Sequence, residues 1–149
     1  MTSGAPWGAY TRTILRFGDG ALAIDLREPV SEAARHRLAS LGLAGPFAVI
    51  TAANPRGTIL DPAENAARDA AFTAEIAGQQ CHRLRVTGVA VDESHAEIGW
   101  ALAVPREVAV AVARRWEQLA VYWWDGARFW IVPVRIRAAH GPPLRLPGA

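Results

Sequence analysis

Six side chains in this sequence have the types and spacing to act on a ligand: Asn54, Arg56, Glu64, Asn65, His95 and Glu97. The first four lie in or beside an Asn-Pro-Arg-Gly turn inside the run FAVITAANPRGTILDPAEN, Phe47 to Asn65. That run reads as a buried strand, a tight turn and a capped helix, and strand exits that face helix starts are common ligand sites. In a binding reading, Arg56 holds an anionic group, Asn54 and Asn65 orient a polar one, and Glu64 is the acid or base. The first N–H groups of the helix add to the pull on an anion. The plainer reading spends the same residues locally. Asn54 closes an Asx turn before Pro55, and Glu64 and Asn65 cap backbone groups. A phosphate loop is excluded, because the turn lacks the G-x-x-x-x-G-K-[ST] spacing. All 16 basic residues are Arg, which removes every lysine-dependent mechanism as well.

His95 and Glu97 are two apart, so on a strand they share a face. As an acid/base pair they suit hydrolysis or proton transfer. The plainer reading is an exposed turn histidine beside an ordinary strand carboxylate. A metal would need Asp92 or His82 as a further ligand, and nothing in the spacing brings either one in, so no metal site is expected. Cys81 and His82 are adjacent and point to opposite faces of an extended chain, a poor nucleophile–base pair. A single cysteine also rules out an internal disulfide. There is no G-x-S-x-G and no cofactor fingerprint. No complete catalytic set is visible, no cofactor is expected, and whether the chain is an enzyme stays open.

The elements that must position these residues follow from pattern. Tyr10–Phe17 and Ala21–Leu26 read as a hairpin around Gly18-Asp19-Gly20, with Leu22, Ile24 and Leu26 on the buried face. A helix opens at Ser31 and ends near Gly42. Phe47–Ala53 is apolar enough for a strand covered on both faces. The next helix has Asp61 as N-cap, Pro62 at N1 and Glu64 at N3, a capping box. Asn65, Asp69, Phe72 and Ile76 share one of its faces, and Glu64 with Arg68 forms an exposed i,i+4 pair. Arg83–Val91 and Glu97–Val104 are two more strands. Pro105 starts a third helix with Val108, Val112, Trp116 and Leu119 in line. Leu119–Trp124 and Ala127–Val132 flank Asp125-Gly126, which suits a two-residue turn that sets Tyr122 against Phe129, Val121 against Trp130 and Trp123 against Arg128. The whole is an α+β fold: one domain, residues 1–149, with a mixed, mostly antiparallel sheet of six to seven strands and three helices. Its ordered core spans residues 8–137, and residues 138–149 form a flexible tail.

Ala supplies 30 positions, so much of the packing is small, and five of the six Trp fall from Trp100 onward. These rings fill the core, helped by a cation–π contact of Arg128 with Trp123, or stack on a partner. Aromatics on both faces of the last hairpin make it the expected contact of a homo-oligomer. A net charge of +2 with scattered Arg argues against nucleic acid. No apolar run nears the roughly 20 residues of a membrane helix. The N-terminus lacks a signal-peptide pattern, so a cytoplasmic location is expected.

ITAANPRG at Ile50–Gly57, ENAARDAAF at Glu64–Phe72, HAEIGWALAV at His95–Val104 and Gln118–Tyr122, with Tyr10 and Thr13 ahead of them, resemble a known family. It is the bacterial domain-of-unknown-function family 3293, and the similarity runs from about Tyr10 to Val134. The resemblance implies that Asn54, Pro55, Glu64 and Asn65 are the family's signature, and it implies no catalytic residue. Ala53 departs from the bulky residue usual at that place. The expectation is therefore a non-catalytic interaction or regulatory module. The alternative is a hydrolase-like enzyme or a binder of an anionic or polar small molecule, with its site at the Asn54–Arg56 turn and the Glu64–Asn65 helix start.

Overall fold

The computed structural model describes residues 7–134 and 144–145. Phe47–Thr51 (β3) is the strand on which the architecture turns, its first four residues all buried. It lies between Ala96–Leu102 (β5) and Ala120–Trp124 (β6), antiparallel to both. Outside β5 come Arg83–Ala90 (β4), Thr13–Phe17 (β1) and Leu22–Asp25 (β2). Outside β6 come Phe129–Pro133 (β7) and Leu144–Arg145 (β8). The sheet order is β2-β1-β4-β5-β3-β6-β7-β8, antiparallel at every described pairing. Glu32–Ser40 (α2) packs by β2, while Pro62–Ile76 (α3) and Arg106–Arg115 (α4) cover the opposite face. The fold is α+β, as the pattern of hairpins and helical connections requires. The tail assigned to residues 138–149 lies outside the described residues, apart from the two of β8.

Alternation along the strands builds two cores. On the α3–α4 face, Ala48, Ile50 and Ala52 meet Phe72, Ile76, Val112 and Ala113. On the α2 face, Phe47 packs edge-on against Phe17 and Phe129, at 6.0 and 5.9 Å between ring centres, while Trp124 sits 4.8 Å from Phe129. Large rings fill this half of the face. Towards the other end of the same strands the residues become small, with Gly88, Ala90, Gly99 and Ala120 lining a space there.

Local signals place most element ends. Ser31 Oγ accepts from Ala34 N, and the Asp61–Glu64 capping box is complete in both directions. Gly42, at φ 85°, turns the chain out of α2 while Leu43 N donates to Leu38 O.

Several expectations are corrected. Tyr10 does not start a strand. Trp7–Thr11 (α1) is a short helix, held by Thr11 and Thr13 hydroxyls on the Gly8 and Ala9 carbonyls. It is a fourth helix beside the three expected. The last hairpin pairs Trp124 with Phe129, Trp123 with Trp130 and Tyr122 with Ile131, so its loop is four residues, not two. Asp125 Oδ1 accepts from Ala127 N and Arg128 N, which stabilises the wider loop. That register puts Trp130, not Arg128, opposite Trp123. Among the described residues the cation–π contacts are Arg68 on Trp116 and Arg83 and Arg85 on Trp100. On α4 the buried line is Ala109, Val112 and Ala113, with Val108 exposed. Small Ala side chains let this helix sit close to β3 and β6. Arg68 makes no pair with Glu64; it donates to the Ala52 and Trp116 carbonyls, at 2.6 and 2.8 Å.

Two glycines in neighbouring strands should behave oppositely. A Cβ on Gly99 would run into the Ile50 carbonyl of β3, whereas one on Gly88 makes ordinary contacts with Thr13 Cγ2 at 3.5 Å, Leu15 Cδ2 at 3.8 Å and Glu97 O at 3.9 Å. Gly99→Ala should cost about 1–3 kcal/mol through forced strand displacement. Gly88→Ala should gain about 0.5–1 kcal/mol, because a strand glycine orders at greater entropic cost than alanine. Urea unfolding of the two variants checks the contrast.

Candidate functional site

The small residues on the α2 face leave an open cavity of about 220 Å³. Its floor is sheet: Val49 and Thr51 of β3, Val86 and Gly88 of β4, Glu97 and Gly99 of β5. Tyr122 and Ala120 of β6 form one wall with Gln118. Tyr10 and Ala9 of α1, and Gly57 and Ile59 after the turn, close over it. His95 stands where β5 begins. A full-length helix over this half would have filled the space, but α1 has five residues.

The Asn-Pro-Arg-Gly turn is a 3₁₀ turn, Pro55–Gly57, entered through Asn54 in the left-handed region at φ 50°. The side chain of Asn54 makes no local Asx turn. Its Nδ2 donates to Glu97 Oε2 at 2.6 Å, and its Oδ1 accepts from Leu60 N at 3.0 Å and Asn65 Nδ2 at 2.9 Å. Asn65 Oδ1 returns a bond to Asn54 N, also at 2.9 Å. One amide thereby ties the turn, the start of α3 and β5 together, and fixes one oxygen of Glu97 at the cavity.

Of the six residues singled out by type and spacing, Asn54, His95 and Glu97 line the cavity. Asn65 stands behind Asn54 as its hydrogen-bond partner. Glu64 is engaged in the capping box with Asp61. Arg56 turns away, its Nε on Glu117 Oε2 at 2.8 Å, both side chains over 40% exposed. Such an exposed pair is worth little by itself. Arg56 and Glu117 both hold positive φ, near 57°, and Arg56 N donates to Glu117 O at 2.7 Å. Two strained residues are thus clipped together at the cavity's edge. His82 is placed elsewhere, its Nε2 2.8 Å from Leu41 O. Among the described residues no three His, Cys, Asp or Glu side chains gather as metal ligands.

Tyr10, Tyr122 and Gln118 complete the site, and type and spacing alone did not single them out as ligand-facing. Their one signal was position within the family-like segments. The two phenol rings meet edge-on at 5.6 Å, and Tyr122 OH donates to Tyr10 O at 2.7 Å. Burial first, and then the Glu97 carboxylate, pushes the Tyr10 phenol far above its usual range. For Tyr122 burial again dominates, with smaller upward contributions from Tyr10 and Glu97. Gln118, 5% exposed, donates from Nε2 to the Ala53 and Trp116 carbonyls. The arrangement offers one fixed carboxylate, an imidazole and two protonated phenols around an apolar floor. It can accept hydrogen bonds or a positive charge, and no Arg among the described residues lines it.

Residues 50–121 match the model of a family described as protein of unknown function (DUF3293). The matched span holds Asn54, Asn65, His95, Glu97 and Gln118, while Tyr10 and Tyr122 lie outside it. No curated protein and no solved structure matches the chain.

These two tyrosines are the only ones in the chain. Because their folded pKa values are raised, the folded state keeps both phenols protonated while the unfolded chain ionises near the ordinary value of 10. The stabilisation is therefore complete below pH 10 and is lost as pH rises above it, by up to about 1.4 kcal/mol per pH unit for each phenol. Tyrosinate absorbance should stay flat past pH 10 until the protein unfolds, and then appear in one step. Replacing Asn54 by Ala should cost about 2–4 kcal/mol, from left-handed strain and the stranded Leu60 N–H. Asn54→Gly should recover about 1 kcal/mol of that, the part due to the backbone, and thermal unfolding of the pair separates the two terms.

Proposed function

We propose that this protein, which carries the domain of unknown function 3293 over residues 50–121, binds a small molecule in the cavity between its sheet and the α1–turn roof. The observation that carries the reading is the fixed Glu97 carboxylate. It sits in a half-enclosed apolar space, with His95, Tyr10 and Tyr122 around it and Asn54 holding one of its oxygens. Specific sites commonly combine an apolar wall with a few well-placed polar groups. About 220 Å³ falls below the roughly 300–1,000 Å³ of sites for drug-sized molecules, which favours a compact ligand.

The binding elements differ from those the turn suggested. Arg56 and Glu64 are engaged in structural contacts, and Glu97 of β5, Tyr122 of β6 and Tyr10 of α1 line the cavity instead. Burial also bears on the alternative, a contact module built on the last hairpin. Trp124 and Phe129 are buried, and Trp123 and Trp130 are half-buried against the second core. The large apolar side chains that stand exposed among the described residues are Ile59, Ile98 and Val108, none of them on that hairpin. Ile59, 76% exposed, belongs to the cavity's roof. No described helix is long and apolar enough to cross a membrane.

A thermal-shift screen against compact metabolites tests the reading, run in parallel on wild type and Gly88→Leu. The new side chain grows from the floor into the cavity, and its Cβ meets nothing closer than 3.5 Å. A hit should raise the wild-type melting temperature in proportion to the logarithm of its concentration and leave Gly88→Leu unmoved. Equal stabilisation of both proteins, or no hit at all, would sink the proposal.

A further inference from the structure

The charge arrangement of the cavity says what kind of molecule fits it. Among the described residues Glu97 is the one acidic side chain lining it, and none of the described Arg does. Asn54 Nδ2 holds Glu97 Oε2 at 2.6 Å, while Oε1 accepts no hydrogen bond from a described residue. Asn54 Oδ1 accepts from both Leu60 N and Asn65 Nδ2, which holds the amide in place and its Nδ2 on that one oxygen. A carboxylate held against apolar surface without a counter-charge is costly, and a cation that meets it recovers that cost. The neighbouring groups agree. The Tyr10 and Tyr122 rings line the same cavity as the carboxylate, and aromatic rings attract cations within about 6 Å of their centres. Both phenols are also held protonated, in part by the Glu97 charge, which marks a negative local field.

We infer that the cavity binds a small organic cation, an amine or amidine on a compact apolar body, with Glu97 as its counter-ion and the tyrosine pair as its aromatic wall. This rests on the cavity being a binding site, and it fixes the ligand's charge. It reverses the expectation of an anionic ligand attached to Arg56, which instead faces Glu117. The ammonium or amidinium donates to the open Glu97 oxygen, and the apolar body lies over Val49, Val86 and Gly88.

The test uses matched probes that differ mainly in charge: benzylamine, benzyl alcohol and benzoate, with butylamine, butanol and butyrate as a slimmer set. Binding is measured by calorimetry on wild type, Glu97→Gln and Gly88→Leu. Glutamine still offers Asn54 an amide oxygen, so Glu97→Gln keeps the tie that holds the turn, and its melting temperature reports that directly. An amine should bind wild type at least tenfold more tightly than its neutral and anionic counterparts. Glu97→Gln should bring it down to the level of the alcohol, and Gly88→Leu should abolish it. If an alcohol or carboxylate binds best, is blocked by Gly88→Leu and is indifferent to Glu97→Gln, the cation inference is overturned and the cavity stands as a site for another ligand. If no probe binds, or Gly88→Leu changes nothing, both inference and site are overturned.

Discussion

The side-chain amide of Asn54 is the joint on which the candidate site depends. It reaches Leu60 N, Asn65 Nδ2 and Glu97 Oε2 from a single residue held in the left-handed region. Asparagine tolerates that backbone conformation better than most residues, and its amide offers donor and acceptor at once. Aspartate would place two carboxylates in contact here, and glycine would supply the backbone freedom with none of the bonds. Both demands fall on one position, so the direction of the chain after β3 and the aim of the Glu97 carboxylate are set together. Rotating one without disturbing the other is not available to this fold.

Packing supplies the complementary constraint. One face of the sheet is divided between aromatic bulk and near-bare backbone. Phe17, Phe47, Trp124 and Phe129 fill one part, and Gly88, Ala90, Gly99 and Ala120 leave the other open. The opposite face shows no such division, because α3 and α4 lay Phe72, Ile76 and Val112 across Ala48, Ile50 and Ala52. Behind the site, Arg68 bonds the Ala52 and Trp116 carbonyls and stacks over Trp116, which fixes the exit of β3 to the end of α4. The cavity is thus a recess framed by elements committed to packing elsewhere.

What the sequence made legible was local. The Asp61–Glu64 capping box, the Ser31 cap and the buried run of β3 each depend on residues within a few positions of one another, and all appear where the pattern puts them. The alternation that sets His95 and Glu97 on one face depends on nothing but strand geometry, and both line the cavity. The last hairpin was harder. Asp-Gly permits a two-residue turn, but the Asp125 carboxylate gains two backbone N–H bonds in a four-residue loop, a comparison that composition cannot make. Arg56 was harder still. Its partner Glu117 is close only because α4 and β6 return to the end of β3. The cavity had no signature in one stretch at all, being an absence of side-chain volume shared among β4, β5 and β6.

The sheet order has a consequence for how the chain is made. Phe47–Thr51, an almost wholly apolar strand, has no partner among the residues that precede it. Ala48 finds Leu102 and Phe47 finds Trp124, both far downstream. The β1–β2 hairpin, which emerges first, pairs outward to β4 rather than onto β3. On a ribosome the future centre of the sheet therefore waits with both edges unpaired until β5 and β6 have been synthesised. Long-range pairing of this kind slows folding, and unpaired apolar edges invite association while it lasts. The strand that ends up best protected is the one left longest without shelter, and a nascent chain stalled before β5 would expose it.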